Sequence, residues 1–133
     1  DRSAVANEVF KDGEILKKLN LLIHPVVRRV MNERVESYRA TDKIVVLDIP
    51  LLVENPREEL DGVLVVDLDP QIAIERIVSQ RNMTIDDAKA RVSAQSTREQ
   101  RLAIADHVVD NSGDRDALSR QVETAWSWIT SLK

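Results

Sequence analysis

Apolar residues in this chain form two patterns: short continuous blocks, and longer stretches in which they recur every three or four positions. The blocks Ile44 to Asp48 and Val63 to Asp67 predict strands of the kind buried on both faces of a parallel sheet. His107 to Val109 predicts a third, shorter strand, closed by the turn residues Asn111-Ser112-Gly113. Ser3 is a fitting N-cap for a short helix through Val9, and Asp12-Gly13 signals a turn. A second helix, Glu14 to Leu22, is expected to stop at His24-Pro25, because the residue before a proline is pushed out of the helical region. Pro25 suits the first turn of a third helix, along which Val27, Val30, Met31 and Tyr38 form an apolar stripe.

Further along, start signals recur. Asp69-Pro70 reads as an N-cap and first helical residue, followed by apolar Ile72, Ala73, Ile77 and Val78. Thr84-Ile85-Asp86-Asp87 predicts another helix start, and Ser96-Thr97-Arg98-Glu99-Gln100 holds two overlapping capping-box patterns. Asp114 caps a last helix with Leu118, Val122, Ala125, Trp126 and Ile129 on one face. Strands alternating with helices predict an α/β fold with parallel pairing and right-handed crossovers. The opening third reads as a small helical unit with no strand before it.

Composition narrows the class. With 133 residues, 43% of them hydrophobic, the chain is long enough for one compact domain, and with 3% aromatics its core must be aliphatic. No apolar run reaches membrane-spanning length, so no membrane partner is expected. Without cysteine there is no disulfide, thiolate nucleophile or thiolate metal site, which fits a cytoplasmic location. A net charge of −4 argues against a nucleic-acid binder with a globally basic surface.

That total conceals an asymmetry. From Arg76 to Arg101 there are six basic residues, Arg76, Arg81, Lys89, Arg91, Arg98 and Arg101, against three acidic ones. Such a segment suits an anionic ligand, since guanidinium groups can fork onto two phosphate oxygens and stay charged. Solvated helix faces laced with local ion pairs would give the same pattern.

The second chemical signal is Asp48-Ile49-Pro50-Leu51-Leu52-Val53-Glu54, directly after the block Ile44-Val45-Val46. Ligand chemistry in α/β sheets gathers at strand ends of this kind. Asp48 there is either a magnesium-linked carboxylate acting through water or a turn cap before Pro50. An absence accompanies it: none of the three glycines, Gly13, Gly62 and Gly113, precedes the Lys-Ser/Thr pair of a phosphate-cradling loop. His24 also reads as a turn or core histidine, His107 has no second histidine at metal spacing, Arg81 suits a helix C-terminus and Asn111 suits a turn.

Taken in order, these residues resemble a known family. Asp1-Arg2 with Val9-Phe10, His24-Pro25, Asp48 to Glu54, Gln71 with Arg76 and Arg81, Ala90-Arg91-Val92 to Gln95, Ala105-Asp106 and Asp110-Asn111-Ser112 are similar to the C-terminal two-thirds of dephospho-coenzyme A kinase. Val53, where phenylalanine is common, and Asn82, where glycine or aspartate is more usual, depart from that pattern.

The resemblance implies a P-loop-kinase-like parallel sheet with flanking helices, its first strand and phosphate loop missing, plus helical substrate-binding and lid parts. Within one partial domain over 1–133, residues 1–43 would form the coenzyme-A-binding part, 44–80 and 106–133 the core, and 81–105 the lid. His24, Arg28, Leu51, Leu52 and Glu54 would face dephospho-coenzyme A. Arg81 and Arg91 would approach the phosphates of ATP, with Arg81 and Asn111 binding the nucleotide. The reaction implied is transfer of the γ-phosphoryl of ATP-Mg to the ribose 3′-hydroxyl of dephospho-coenzyme A, by a monomer or weak homo-oligomer. Because the loop and the substrate-facing aspartate of the family would precede position 1, the chain alone is expected to be inactive and the sheet to have two unpaired edges. The alternatives are a non-catalytic module binding coenzyme A or a partner, and another nucleotide kinase of the same fold.

Overall fold

The computed structural model describes residues 13–81 and 83–132. The chain divides into two compact units, Asp1–Asp48 and Ile49–Lys133. The helix expected over Ser3 to Val9 lies outside the described residues, as does Asp12, while Gly13 lies in a helix and not in a turn.

In the first unit, α1 runs uninterrupted over Gly13–Glu36 with Pro25 inside it. Two helices meeting at His24-Pro25 were the sequence expectation, and the structure corrects it. Pro25 removes one backbone hydrogen bond and crowds the turn before it, at about 3 kcal/mol. A break would instead orphan the terminal N–H and C=O groups of two short helices and require a second nucleation. Exposed ion pairs Lys17–Glu14 at 2.7 Å and Arg29–Glu33 at 2.8 Å add a little along the way. Tyr38, expected on the helix stripe, lies in the turn beyond α1, with Lys43 Nζ 5.3 Å from the centre of its ring.

The strand expected over Ile44 to Asp48 is not formed: residues 43–49 carry no regular structure, and Val46 is 74% exposed. β-Branched residues favour extended backbone, but a strand exists only where a neighbour takes its N–H and C=O groups. Among the described residues the sheet has two strands, and this segment is in neither.

The second unit is built on β1 (Leu64–Asp67) and β2 (His107–Asp110), which pair in parallel from Leu64 opposite His107 to Asp67 opposite Asp110. Between them come α2 (Pro70–Arg81), α3 (Ile85–Ser93) and α4 (Arg98–Ala103), and α5 (Arg115–Ser131) follows β2. Helices α2 and α3 pack on each other, α4 on β1 and α5 on β2. The expected start signals are used: Asp69 Oδ1 accepts from the Gln71 N–H, Thr84 caps α3, and Asp114 caps α5. Of the two overlapping boxes before α4, the Thr97–Gln100 pair closes, leaving Ser96 for another partner.

Burial on both faces of the strands is not reached, since Val66 is 56% exposed although Val109 is buried. Two strands with helices packed locally cannot cover two sheet faces. The buried stripe of α5 also differs from expectation. Ala125 is buried and Leu118, Trp128 and Ile129 half-buried, while Val122 and Trp126 are exposed. Trp128 stacks on His107 with ring centres 5.0 Å apart and 15° between planes, which rotates the stripe off Trp126. Gly62 belongs to the same packing, because a Cβ there would lie 2.9 Å from the Trp128 ring.

Candidate functional site

The carboxyl ends of β1 and β2 bring Asp67 and Asp110 side by side in register. Asp67 is buried, and Arg98, the first residue of α4, answers it: Nε donates to Oδ1 at 2.9 Å and Oδ2 at 3.1 Å, and Nη2 donates to Oδ2 at 2.6 Å. Arg98 Nη1 lies 3.7 Å from Asp69 Oδ2. The Arg98 hydrogen bonds hold the Asp67 carboxyl below the usual carboxylate range against the opposing effect of burial, and Asp67 raises Arg98 in turn.

The loop after β2 is anchored to the same edge. The Asn111 N–H donates to the Asp67 carbonyl at 2.9 Å. Arg76 on α2 donates from Nη1 to the Asn111 carbonyl at 2.8 Å and from Nη2 to the Gly113 carbonyl at 3.2 Å. Asp110 takes the Ser112 N–H at 2.8 Å, and hydrogen bonding from Ser112 lowers its carboxyl pKa. Asn111 is therefore fixed through its backbone, with its side-chain amide aside from these bonds.

Arg81 and Arg91 stand in the last turns of α2 and α3, both exposed and without a hydrogen-bond or ion-pair partner among the described residues, as is Lys89. In the second unit the turn 50–54 is closed by the Asn55 N–H donating to the Leu51 carbonyl at 3.0 Å. It exposes Leu51, half-buries Leu52 and Val53, and directs Glu54 to Ser96. In the first unit His24 and Arg28 share one face of α1 with Lys17, Asn20 and Leu21, lining a shallow concave strip. Asp48 is exposed within the irregular segment 43–49. Among the described residues no group of three or more His, Asp or Glu side chains is placed to hold a metal ion. None of the described helices is long and apolar enough to cross a membrane.

The sequence pattern singled out Asn111, Arg81 and Arg91, but it marked Arg98 only as one of a basic run, Ser96 only as a cap and Asp67 only as a strand end. A signal for Asp67 existed, a lone carboxylate ending an apolar strand, but nothing local paired it with an arginine 31 positions on.

A family model for dephospho-CoA kinase matches residues 1–117. The chain belongs to the dephospho-CoA kinase family. It is 44% identical over 128 residues to the dephospho-CoA kinase of Streptomyces avermitilis, covering 96% of this chain and 62% of that one. The dephospho-CoA kinase of Staphylococcus haemolyticus is 39% identical, with 92% of this chain and 61% of that one covered. The chain thus spans a little over three-fifths of these relatives. Among solved structures, the Thermus thermophilus protein TT1252 superposes with a TM-score of 0.74 at 32% identity, over 96% of this chain and 66% of that one. A dephospho-CoA kinase from Campylobacter jejuni shares the fold, with a TM-score of 0.66 at 24% identity over 100% of this chain and 67% of that one. The α/β class with a parallel sheet and flanking helices is that of these neighbours.

Proposed function

We propose that this chain forms the substrate-binding, lid and core parts of a cytoplasmic enzyme that phosphorylates the 3′-hydroxyl of dephospho-coenzyme A with ATP. The observation that carries this reading is the family match over residues 1–117. In the reaction the ribose 3′-oxygen forms a bond to the γ-phosphorus, the bond from that phosphorus to the β-bridging oxygen breaks, ADP leaves and the hydroxyl proton is released to solvent.

Phosphoryl transfer needs positioning and charge stabilisation more than covalent chemistry. Arg81 and Arg91, exposed and without a partner among the described residues, supply positive charge to the ATP phosphates, and Asn111 offers its amide to the adenine. His24 and Arg28 on α1 of the first unit are assigned to dephospho-coenzyme A in this reading, as are, separately, Leu51 and Leu52 on the turn of the second unit. A Mg2+ ion, when bound with ATP, would supply neutralisation of charge on the phosphates. A single carboxylate such as Asp48, acting through water, suits an ion that takes most of its ligands from phosphate and solvent. Residues 1–43 serve the substrate, 81–105 the lid, and 44–80 with 106–133 the core, in a monomer or weak homo-oligomer.

No Gly-Lys-Ser/Thr loop occurs in these 133 residues, so phosphates lack their cradle here and the chain alone is inactive in this reading. The test is ADP release with ATP-Mg, with and without dephospho-coenzyme A, for the chain alone and for the chain preceded by a phosphate-loop segment. Turnover dependent on dephospho-coenzyme A in the extended form alone supports the reading. Turnover by the chain alone refutes its inactivity. Silence in both favours a non-catalytic module that binds coenzyme A or a partner, and phosphorylation of nucleosides instead would point to another nucleotide kinase.

A further inference from the structure

Glu54 ends the turn after Pro50, yet its carboxylate is engaged within the protein. One oxygen, Oε1, accepts both the Ser96 N–H at 2.8 Å and the Ser96 hydroxyl at 2.6 Å, across 42 residues of chain. The Ser96 carbonyl in turn accepts from Arg101 Nη1 at 2.7 Å. Two residues after Ser96, Arg98 grips Asp67 at the end of β1. Residues 96–101 are therefore fastened to the Leu51–Glu54 turn, to α4 itself and to the sheet. The α2–α3 pair that carries Arg81 and Arg91 returns to the sheet through this segment.

A carboxylate aimed at a substrate bearing a pyrophosphate would repel it. Turned onto Ser96, the same charge makes strong charge-assisted hydrogen bonds instead. We infer that Glu54 is a positioning residue that couples the Leu51–Glu54 turn to the returning arm of the Arg81- and Arg91-bearing helices. Dephospho-coenzyme A seated on the turn then favours the helix placement that sets those arginines on ATP. This inference rests on the proposed function for the two ligands, and its coupling is reciprocal by linkage.

The test is calorimetric titration of the extended chain with a non-hydrolysable ATP analogue, with and without dephospho-coenzyme A. In the parent, dephospho-coenzyme A tightens the analogue about fivefold or more. In Glu54→Ala this factor falls to about one, in Ser96→Ala it falls part of the way, and Glu54→Gln retains most of it because the amide oxygen still accepts from Ser96. A parent factor of one with both ligands bound, or an undiminished factor in Glu54→Ala, overturns the inference. So does loss of dephospho-coenzyme A affinity in Glu54→Ala with the factor intact, which would make Glu54 a substrate contact. A parent that binds neither ligand overturns the functional reading, and amide exchange then decides the joint. Faster exchange at Ser96 and over 98–103 in Glu54→Ala upholds the fastening, and unchanged exchange refutes it.

Discussion

Arg98 holds both carboxylate oxygens of Asp67, at 2.9 and 2.6 Å, and so ties the first residue of α4 to the last residue of β1. Removing the acidic partner, Asp67→Ala, is expected to cost about 2 kcal/mol, the scale of hydrogen bonds to a charged group, measured by urea unfolding. The pair also sets an acid limit. Asp67, Glu54, Glu99 and Asp110 all titrate lower folded than unfolded, from ordinary values of 3.8 for the aspartates and 4.5 for the glutamates. Hydrogen bonds from Arg98 to Asp67, and from Ser96 to Glu54, are the leading causes for those two. As pH falls through those values the unfolded state takes up protons first, so stability is full above them and drains below them. Urea midpoints measured against pH should show this fall, with a shallower acid slope in Asp67→Ala.

Arg81 sits in the last turn of α2 with its side chain exposed and without a partner among the described residues. In the extended chain, Arg81→Ala should lower kcat by about 10³ if it meets charge on the transferring phosphoryl, while the melting temperature stays within about 2 °C of the parent. Equal turnover in the variant would remove Arg81 from the site.

Gly62 faces the Trp128 ring, with Leu132 Cδ1 also only 3.0 Å from where a Cβ would be. Gly62→Ala is expected to destabilise by about 1 kcal/mol through overpacking and to disturb the His107–Trp128 stack. Urea unfolding followed by tryptophan fluorescence reads both effects, and an unshifted midpoint would mean the indole yields freely.

Thr97 and Gln100 close the capping box of α4, with the Gln100 N–H donating to Thr97 Oγ1 at 3.2 Å and the Thr97 N–H to Gln100 Oε1 at 2.9 Å. Thr97→Ala should cost about 1 kcal/mol. Because α4 starts at Arg98, amide exchange should also quicken at its first turn, and unaltered protection there would show that Asp67 alone sets the helix start.

Local chemistry made most of the second unit legible. Caps at Asp69, Thr84, Thr97 and Asp114 work through hydrogen bonds to N–H groups two or three residues ahead, so the sequence pattern contains both partners. Leu64–Asp67 and His107–Asp110 were legible as strands because each block is short, apolar and bounded by turn residues.

Where local pattern and structure part, the deciding partner is distant or the balance of backbone hydrogen bonds outweighs a local preference. Pro25 is a helix breaker by its own geometry, yet the bonds kept on either side of it outweigh the one it loses. Ile44 to Asp48 has strand composition but no ladder partner among the described residues. Trp128 and not Trp126 faces inward because His107 and Gly62 make room for it. Ser96 carries a capping pattern in sequence and serves Glu54 in space.

The sequence by itself determined the family, the positions of caps and short strands, and a basic stretch that contains Arg81 and Arg91, since all of these depend on residue order and near neighbours. Only the tertiary structure decided that Asp67 meets Arg98 and that Glu54 meets Ser96. Those pairs span 31 and 42 residues, and chain separation of that kind is closed by parallel strand pairing and helix packing, which no local pattern encodes.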